Sequence, residues 1–150
     1  MLPPSILEIV QERLGDRLDD YLIPPPVFQE MQGEFVDFDL EGGSLTTRFP
    51  ILAKYRNPYG AMQGGMLAAA VDNTFGPLSL MVAPPNVTGR LEMKYIQPVT
   101  PEISHITIKA EFVEHHKRRL KFRAEVRDPQ GTLLATAQAT HWIVNAGDVH

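Results

Sequence analysis

The chain has 150 residues, enough for one domain with a proper hydrophobic core, and its 43% hydrophobic and 21% charged residues are ordinary globular usage. It has no cysteine, which excludes disulfides, zinc-thiolate sites and thiol nucleophiles, and a net charge of −4 gives no electrostatic case for nucleic acid or membrane partners. The N-terminal residues lack a basic region followed by an apolar core, so we expect no secretory signal and a cytoplasmic location.

The N-terminal residues predict an amphipathic helix over 5–20. Ser5 followed by Glu8 fits a capping box at the helix start. An apolar stripe then recurs at every fourth position: Ile6, Val10, Leu14 and Leu18. The helix is expected to stop before Pro24–Pro26, which cannot continue it. We therefore divide the chain into residues 1–25, a helix with a proline-rich connector, and a single domain over 26–150.

Six segments downstream predict strands, because apolar and polar residues alternate with a period of two. The first two form a hairpin that turns at Gly42–Gly43, and a third runs from Thr88 to Gln97. The last three are separated by a charged turn at 115–119 and a proline–glycine turn at 128–131. The inward residues of the clearest strands are Ile106, Ile108, Ala110 and Phe112, then Leu120, Phe122, Ala124 and Val126. One apolar face and one charged face indicate an antiparallel sheet with one buried side.

Between the second and third strands, the most apolar stretch predicts a long helix from about Met66 to Val82. Asp72 and Pro77 interrupt it too strongly for a membrane span, and the proline is expected to bend the helix. A stripe expected to face the sheet comprises Leu67, Val71, Thr74, Leu78 and Met81. The elements together predict an α+β fold in which this helix packs against an antiparallel sheet of about six strands.

A different face of the same helix carries small residues and one carboxylate, Asp72. A carboxylate in such a face must be hydrogen-bonded, because burying an unpaired charge is costly. Two interpretations remain open from the residues alone: Asp72 braces a neighbouring loop, or it acts in catalysis. Gln63, Gly64 and Gly65 precede the helix, where backbone N–H groups can form an oxyanion hole, although a simple tight turn explains two glycines equally well.

The run Asn57-x-x-Gly60-x-x-Gln63-Gly64-Gly65, followed by Asp72, resembles the signature of the PaaI-like hotdog-fold acyl-CoA thioesterases, members of the 4-hydroxybenzoyl-CoA thioesterase superfamily. The order of two strands, a long helix and four strands is similar to the hotdog fold. The resemblance covers about residues 30–145 and implies that 26–150 form a single hotdog thioesterase domain.

The resemblance also implies a role for each matching residue in the hydrolysis of acyl-CoA to a free acid and coenzyme A. Asp72 would activate water as a general base or attack the carbonyl itself. Gly64, with Gly65, would donate backbone N–H groups to the thioester oxygen, which Asn57 would help to hold. Thr88 would orient the water. No cofactor is implied, since coenzyme A is part of the substrate.

Gln63 departs from the family pattern, which commonly has histidine at this position. Glutamine can donate a hydrogen bond but cannot transfer a proton at neutral pH. This substitution is the main support for the alternative that the chain is a non-catalytic acyl-CoA-binding protein. A purely structural oligomer is a third alternative. A MaoC-type hydratase is disfavoured, because no histidine follows Asp72 closely.

Two basic positions are candidates for binding the phosphates of coenzyme A. One is the turn Lys117-Arg118-Arg119, which could equally be a solvated hairpin turn, and the other is Arg90. No metal site is expected, because His115 and His116 point to opposite faces of a strand; His105 and His141 are expected to be structural. The resemblance further implies a homodimer that assembles into a homotetramer, with the Gly64 loop and Asp72 of one site on different subunits.

Overall fold

A computed structural model describes residues 3–145; the outermost parts of the two predicted segments, 1–2 and 146–150, lie outside the described residues. The helices are α1 (Pro4–Leu14), α2 (Pro26–Glu30) and α3 (Gly64–Val82), with short 3₁₀ helices at Gly15–Asp20 and Ala53–Tyr55. The strands are β1 (Glu34–Asp39), β2 (Ser44–Pro50), β3 (Asn86–Tyr95), β4 (His105–His116), β5 (Arg119–Arg127) and β6 (Leu133–Ile143).

The six strands form one antiparallel sheet in the order β1-β2-β4-β5-β6-β3. Helix α3 lies across its inner face, and α1 packs on α3 from the other side. The predicted α+β class, the six-stranded antiparallel sheet, the central helix and an N-terminal helix are therefore confirmed. Within residues 3–145 no helix has the length and apolar character needed to cross a membrane.

The core follows the predicted periodicity closely. The apolar stripe of α3 is fully buried, with its five predicted residues at most 2% exposed. The inward positions of β4 and β5 are buried as expected, except that Phe112, beside a bulge, is only half-buried. In the predicted turn at 128–131, the carboxylate of Asp128 accepts the N–H groups of Gln130 and Thr132, each at 2.9 Å, and Gly131 has a φ of 85°.

The N-terminal helix differs from the prediction at both ends. Pro3 is the N-cap and Ser5 lies inside α1, so no side chain caps the helix and the predicted capping box is wrong. Gly15 has a φ of 56°, which ends the α-helix, and the chain continues to Asp20 as a 3₁₀ helix. The apolar stripe still packs, because Ile6, Val10 and Leu14 belong to the core.

The hairpin differs in the face that β1 buries. A bulge between Phe35 and Asp37 shifts the register, so Phe35 and Phe38 face the core while Val36 is 44% exposed. A two-residue period counted back from Phe38 would place Val36 inward, because such a period contains no information on bulges. After the prolines, the chain also forms the short helix α2, which buries Phe28 against Phe49.

Strands β1 and β3 are the two edges of the sheet. Strand β3 is ten residues long and exposes apolar side chains at both ends: Val87 at 41% and Tyr95 at 51%. A long open edge with apolar side chains is a surface that proteins normally cover or pair.

Candidate active site

The predicted site residues lie in two separate places on the surface, one at the start of helix α3 and one at its middle. Asp72, in the middle of the helix, faces a cleft between α3, the N-terminal segment and β3. Gly64, the first helical residue, faces a second depression that Asn57 and Tyr95 also line. Eight residues of helix separate Asp72 from Gly64, which is about 12 Å along the axis.

Asp72 is half-buried, and its Oδ1 accepts a hydrogen bond from the hydroxyl of Thr88 on β3 at 3.0 Å. Thr88 is the only hydrogen-bond partner of this carboxylate among residues 3–145. A carboxylate that braced a loop would accept backbone N–H groups instead. Among residues 3–145 Asp72 accepts no backbone N–H from a loop, and its Oδ2 has no hydrogen-bond partner.

The cleft beside Asp72 has a volume of about 350 Å³ and is mostly apolar. Helix α3 contributes Gly76, Pro77 and Leu80 to its wall. The opposite wall comes from the N-terminal segment, through Ile6, Val10, Tyr21, Leu22, Ile23 and Pro25. A carboxylate at the wall of an apolar cleft is an arrangement typical of sites that act on an apolar group next to a reactive bond.

His141 on β6 also lines this cleft, and sequence reasoning missed its part in the site. The side chain is 2% exposed, its Nε2 lies 3.5 Å from the Thr88 hydroxyl and its Nδ1 lies 2.8 Å from Oδ1 of Asn86. Burial lowers the pKa of His141, and the negative charge of Asp72 partly offsets that effect. Thr88 and His141 are 53 positions apart in the sequence. They meet because β3 pairs with β6 and the two residues are register partners.

The N-terminus of α3 presents free backbone donors. Gln63 is the N-cap, with an exposed side chain, and its carbonyl accepts the N–H groups of Met66 and Leu67. Within residues 3–145, the N–H groups of Gly64 and Gly65 have no hydrogen-bond partner. Free N–H groups at the positive end of a 19-residue helix are suited to bind a negatively charged or polarised oxygen.

Asn57 organises the loop before the helix. Its Oδ1 accepts the N–H groups of Tyr59 at 2.9 Å and Ala61 at 3.1 Å, so its amide oxygen is engaged in the loop. Only its NH₂ group is left to reach a substrate oxygen. The hydroxyl of Tyr95 donates to the carbonyl of Gly64 at 2.6 Å, which holds the loop against β3.

The basic candidates lie in different places. The turn Lys117–Arg118 joins β4 to β5 at the same end of the sheet as Asp72, because Leu120, His141 and Thr88 form one row across β5, β6 and β3. Two strand spacings, about 10 Å, separate β5, which follows this turn, from β3, which carries Thr88. The guanidinium of Arg118 donates twice to the carbonyl of Ile143, at 3.1 and 2.9 Å, and Arg119 lies 3.8 Å from Glu114.

Arg90 lies on the other face of the sheet from Asp72. Strand β3 has a bulge between Thr88 and Arg90. As a result Thr88 pairs with His141, which is buried on the inner face, while Arg90 pairs with Thr140 on the outer face of β6. Arg90 forms an ion pair with Glu92 at 2.5 Å. The structure therefore brings Thr88 to the Asp72 cleft and leaves Arg90 outside it. Among residues 3–145 no cluster of histidine, aspartate and glutamate is arranged to hold a metal ion.

Known structures share this architecture over most of the chain. A phenylacetic acid degradation-related protein of Ralstonia eutropha JMP134, provisionally assigned as a thioesterase, is 24% identical and matches with a TM-score of 0.76 over 90% of this chain and 98% of its own. The Escherichia coli PaaI protein of the phenylacetic acid degradation operon is 13% identical, with a TM-score of 0.75 over 94% and 97% of the two chains.

A third structure, a Streptococcus mutans protein bound to acetyl CoA, is 18% identical, with a TM-score of 0.70 over 75% of this chain and 89% of its own. No protein-family model matches the chain, and no curated protein sequence matches it significantly. At these identities the likeness establishes the fold, which is the hotdog fold of PaaI-like thioesterases.

Proposed function

We propose that this protein hydrolyses acyl-CoA thioesters to a free acid and coenzyme A. The observation that carries the proposal is the half-buried Asp72 carboxylate, which a single hydroxyl holds at the wall of an apolar cleft. In the proposed reaction Asp72 activates water, or attacks the thioester carbonyl itself, and Thr88 orients the carboxylate and the water. The names of the structural neighbours, PaaI and thioesterases, support the same reaction class.

The developing negative charge on the thioester oxygen would be held by the backbone N–H groups of Gly64 and Gly65. Neither has a hydrogen-bond partner among residues 3–145, and both lie at the positive end of α3. Donors of this kind are fixed before the charge develops, which is the condition for stabilising a tetrahedral intermediate. The NH₂ group of Asn57 is placed in the same loop and would assist.

One copy of the chain cannot apply both groups to one carbonyl, because about 12 Å of helix separates Asp72 from Gly64. The arrangement of β3 offers a solution. Thr88, near one end of this edge strand, contacts Asp72, and Tyr95, at the other end, contacts Gly64.

If two copies pair antiparallel through their β3 edges about a two-fold axis, the Thr88 end of one copy lies beside the Tyr95 end of the other. Each Asp72 would then face the Gly64 loop of the other copy, giving two composite sites per dimer. We therefore propose a homodimer as the catalytic unit. The further assembly of dimers into a tetramer is part of the same proposal and rests on the family resemblance.

Each part of the substrate has a candidate binding region. The acyl group would occupy the apolar cleft of about 350 Å³, whose outer wall is the N-terminal segment. Two aromatic residues on or near α3 do not line this cleft: Phe75 is fully buried in the core and Tyr59 is 90% exposed. The phosphates of coenzyme A would bind at the Lys117–Arg119 turn, which lies at the Asp72 end of the sheet.

The alternative function is acyl-CoA binding without turnover, which Gln63 favours because glutamine supplies no proton to the leaving thiolate. The Streptococcus mutans neighbour, which was solved with acetyl CoA, is compatible with either function.

The test is an assay of thiol release from short, medium, long and aryl acyl-CoA thioesters by the wild type and by Asp72→Asn. The variant keeps the shape of the side chain and removes its basicity. We expect turnover of at least one class by the wild type and a loss of at least about 100-fold in the variant. Binding of acyl-CoA without turnover in both proteins would contradict the proposal and support the binding function.

A further inference from the structure

His141 occupies a position in which the hydrogen-bond partners define the tautomer of its neutral form. The amide nitrogen of Asn86 donates to the carbonyl of Pro84 at 2.9 Å, which fixes the orientation of that side chain. The amide oxygen of Asn86 therefore faces Nδ1 of His141 at 2.8 Å and can only accept a hydrogen bond. A neutral His141 must then carry its hydrogen on Nδ1, which leaves a lone pair on Nε2.

That lone pair faces Thr88. The Thr88 hydroxyl has one hydrogen and two acceptors within reach: Oδ1 of Asp72 at 3.0 Å and Nε2 of His141 at 3.5 Å. While Asp72 is ionised, the charged oxygen is the stronger acceptor. When Asp72 takes a proton from water, its oxygen becomes a donor to Thr88, and the Thr88 hydrogen can turn to His141.

We propose that His141 is a positioning residue that acts on Asp72 through Thr88, and that the site works only while His141 is neutral. A neutral imidazole gives the Thr88 hydrogen an acceptor in the protonated state of Asp72. A protonated imidazole loses that lone pair and places a positive charge beside the carboxylate, which lowers its basicity. This inference rests on the proposed hydrolytic function.

Among residues 3–145, Asp72 is the charged group that acts on His141. Helix α3 supplies Asp72 and the apolar ring of Phe75. Strand β5 supplies Phe122, whose ring centroid lies 4.8 Å from the imidazole, and β3 supplies the neutral Asn86 and Thr88. The N-terminal segment places the phenol of Tyr21 in the wall of the same cleft.

The first experiment needs no substrate. Long-range ¹H–¹⁵N NMR spectra report the tautomer and the titration of each imidazole, and a His141→Gln sample identifies the His141 signals. We expect the Nδ1–H tautomer at neutral pH, a pKa that falls in Asp72→Asn and one that rises by about one unit or more in Asn86→Asp, where a carboxylate faces Nδ1. An Nε2–H tautomer, or a His141 pKa that neither substitution changes, would overturn the inference.

The second experiment follows kcat/KM with pH. The wild type should lose activity on the acid side as His141 protonates, and Asn86→Asp should shift this loss to higher pH by about one unit. His141→Gln should lack this part of the profile and show a kcat about tenfold lower with a similar KM. His105→Gln, a control at the start of β4 whose Nδ1 contacts Ser104, should match the wild type.

An identical acid-side profile in all four proteins would overturn the inference even if the enzyme is active. If the wild type hydrolyses no thioester, the proposed function fails, and the NMR titrations still decide whether His141 is coupled to Asp72 through Thr88.

Discussion

The atoms that remain free in the loop before α3 are those that a thioester oxygen needs. The carbonyl of Gly64 accepts the Tyr95 hydroxyl, and the amide oxygen of Asn57 accepts two backbone N–H groups. The N–H groups of Gly64 and Gly65 stay unbonded within residues 3–145. The polar groups that would compete for these donors are thus already engaged.

Tyr95 is expected to strengthen one of these donors. The carbonyl that it binds belongs to the same peptide group as the N–H of Gly65, so the hydrogen bond polarises that N–H. Burial raises the pKa of Tyr95, which keeps the phenol protonated and donating at neutral and mildly alkaline pH. Tyr95→Phe should therefore lower kcat about 3- to 10-fold, for a loss of about 1 kcal/mol, with little change in stability.

Steady-state kinetics with one acyl-CoA at pH 7–9 would measure this effect. The ring of Tyr95 lies 3.2 Å from where a Gly64 side chain would begin, so phenylalanine still fills the space. An unchanged kcat in Tyr95→Phe would show that the hydroxyl serves only to hold the loop.

The residues of the site could be predicted from the sequence only where they share a local motif. Asn57, Gly64 and Asp72 lie within 16 positions and match a family signature. His141 and Asn86 match none, and they meet Asp72 only because β3 pairs with β6. The pairing of distant strands cannot be predicted from a local stretch of sequence. A histidine on a strand is therefore interpreted as structural until its partners are known.

At the scale of elements, the N-terminal segment does more than cover the core. Its apolar stripe packs Ile6 and Val10 beneath the cleft, and its irregular part, 21–25, forms the rim. The opposite wall, on α3, includes Gly76, where an added Cβ would meet nothing within 4 Å. A side chain at Gly76 would therefore meet open space.

Gly76→Leu should shorten the range of accepted acyl groups. A leucine side chain would project into the cleft of about 350 Å³, so kcat/KM for octanoyl-CoA should fall at least about tenfold relative to acetyl-CoA, a 1.4 kcal/mol difference. The ratio of the two substrates, measured for wild type and variant, tests this directly.

Gly76→Ala is the matched control. It should keep the wild-type substrate ratio and stabilise the protein by roughly 0.5–1 kcal/mol, because alanine is the better residue inside a helix. If Gly76→Leu retains the wild-type ratio as well, the cleft does not hold the acyl group.

The elements themselves were largely predictable, because the periods of two and 3.6 residues are local properties. The exceptions are local conflicts that the pattern does not encode. The bulge at Val36 turns Phe35 rather than Val36 toward the core. Pro3 takes the N-cap in place of Ser5 because proline suits the start of a helix. The change from an α-helix to a 3₁₀ helix at Gly15 follows from the positive φ of this residue. The apolar stripe continues past Gly15 to Leu18 and does not indicate the change.

For the molecule as a whole, the burial of His141 links stability to pH. Its folded pKa lies below the ordinary value of 6.5, so between the two values the unfolded chain binds more protons than the folded chain. Stability should decline as the pH falls below about 6.5 and should stop declining, for this residue, below the folded pKa. Urea denaturation from pH 8 to pH 5 measures this.

His141→Gln should lack that part of the pH dependence, so the difference in unfolding free energy between the two proteins should shrink as the pH falls. A constant difference across this range would mean that His141 is not held neutral in the folded state.

The composite site is the central claim, and it concerns two copies of the chain. Gly64→Pro removes the proposed oxyanion donor at the first helical position, where proline is well tolerated, and Gly64→Ala keeps the donor with the same contact to Tyr95. Gly64→Pro should lose about 100- to 1,000-fold in kcat, while Gly64→Ala should lose far less.

The most direct measurement mixes two inactive variants, Asp72→Asn and Gly64→Pro, by co-expression or by joint refolding. In a mixed dimer one site combines both defects, and the other combines the intact Asp72 of one copy with the intact Gly64 of its partner. Random mixing should therefore restore about a quarter of the wild-type activity. Activity that stays at the level of the separate variants, in a sample shown to contain mixed dimers, would contradict a site shared between two subunits.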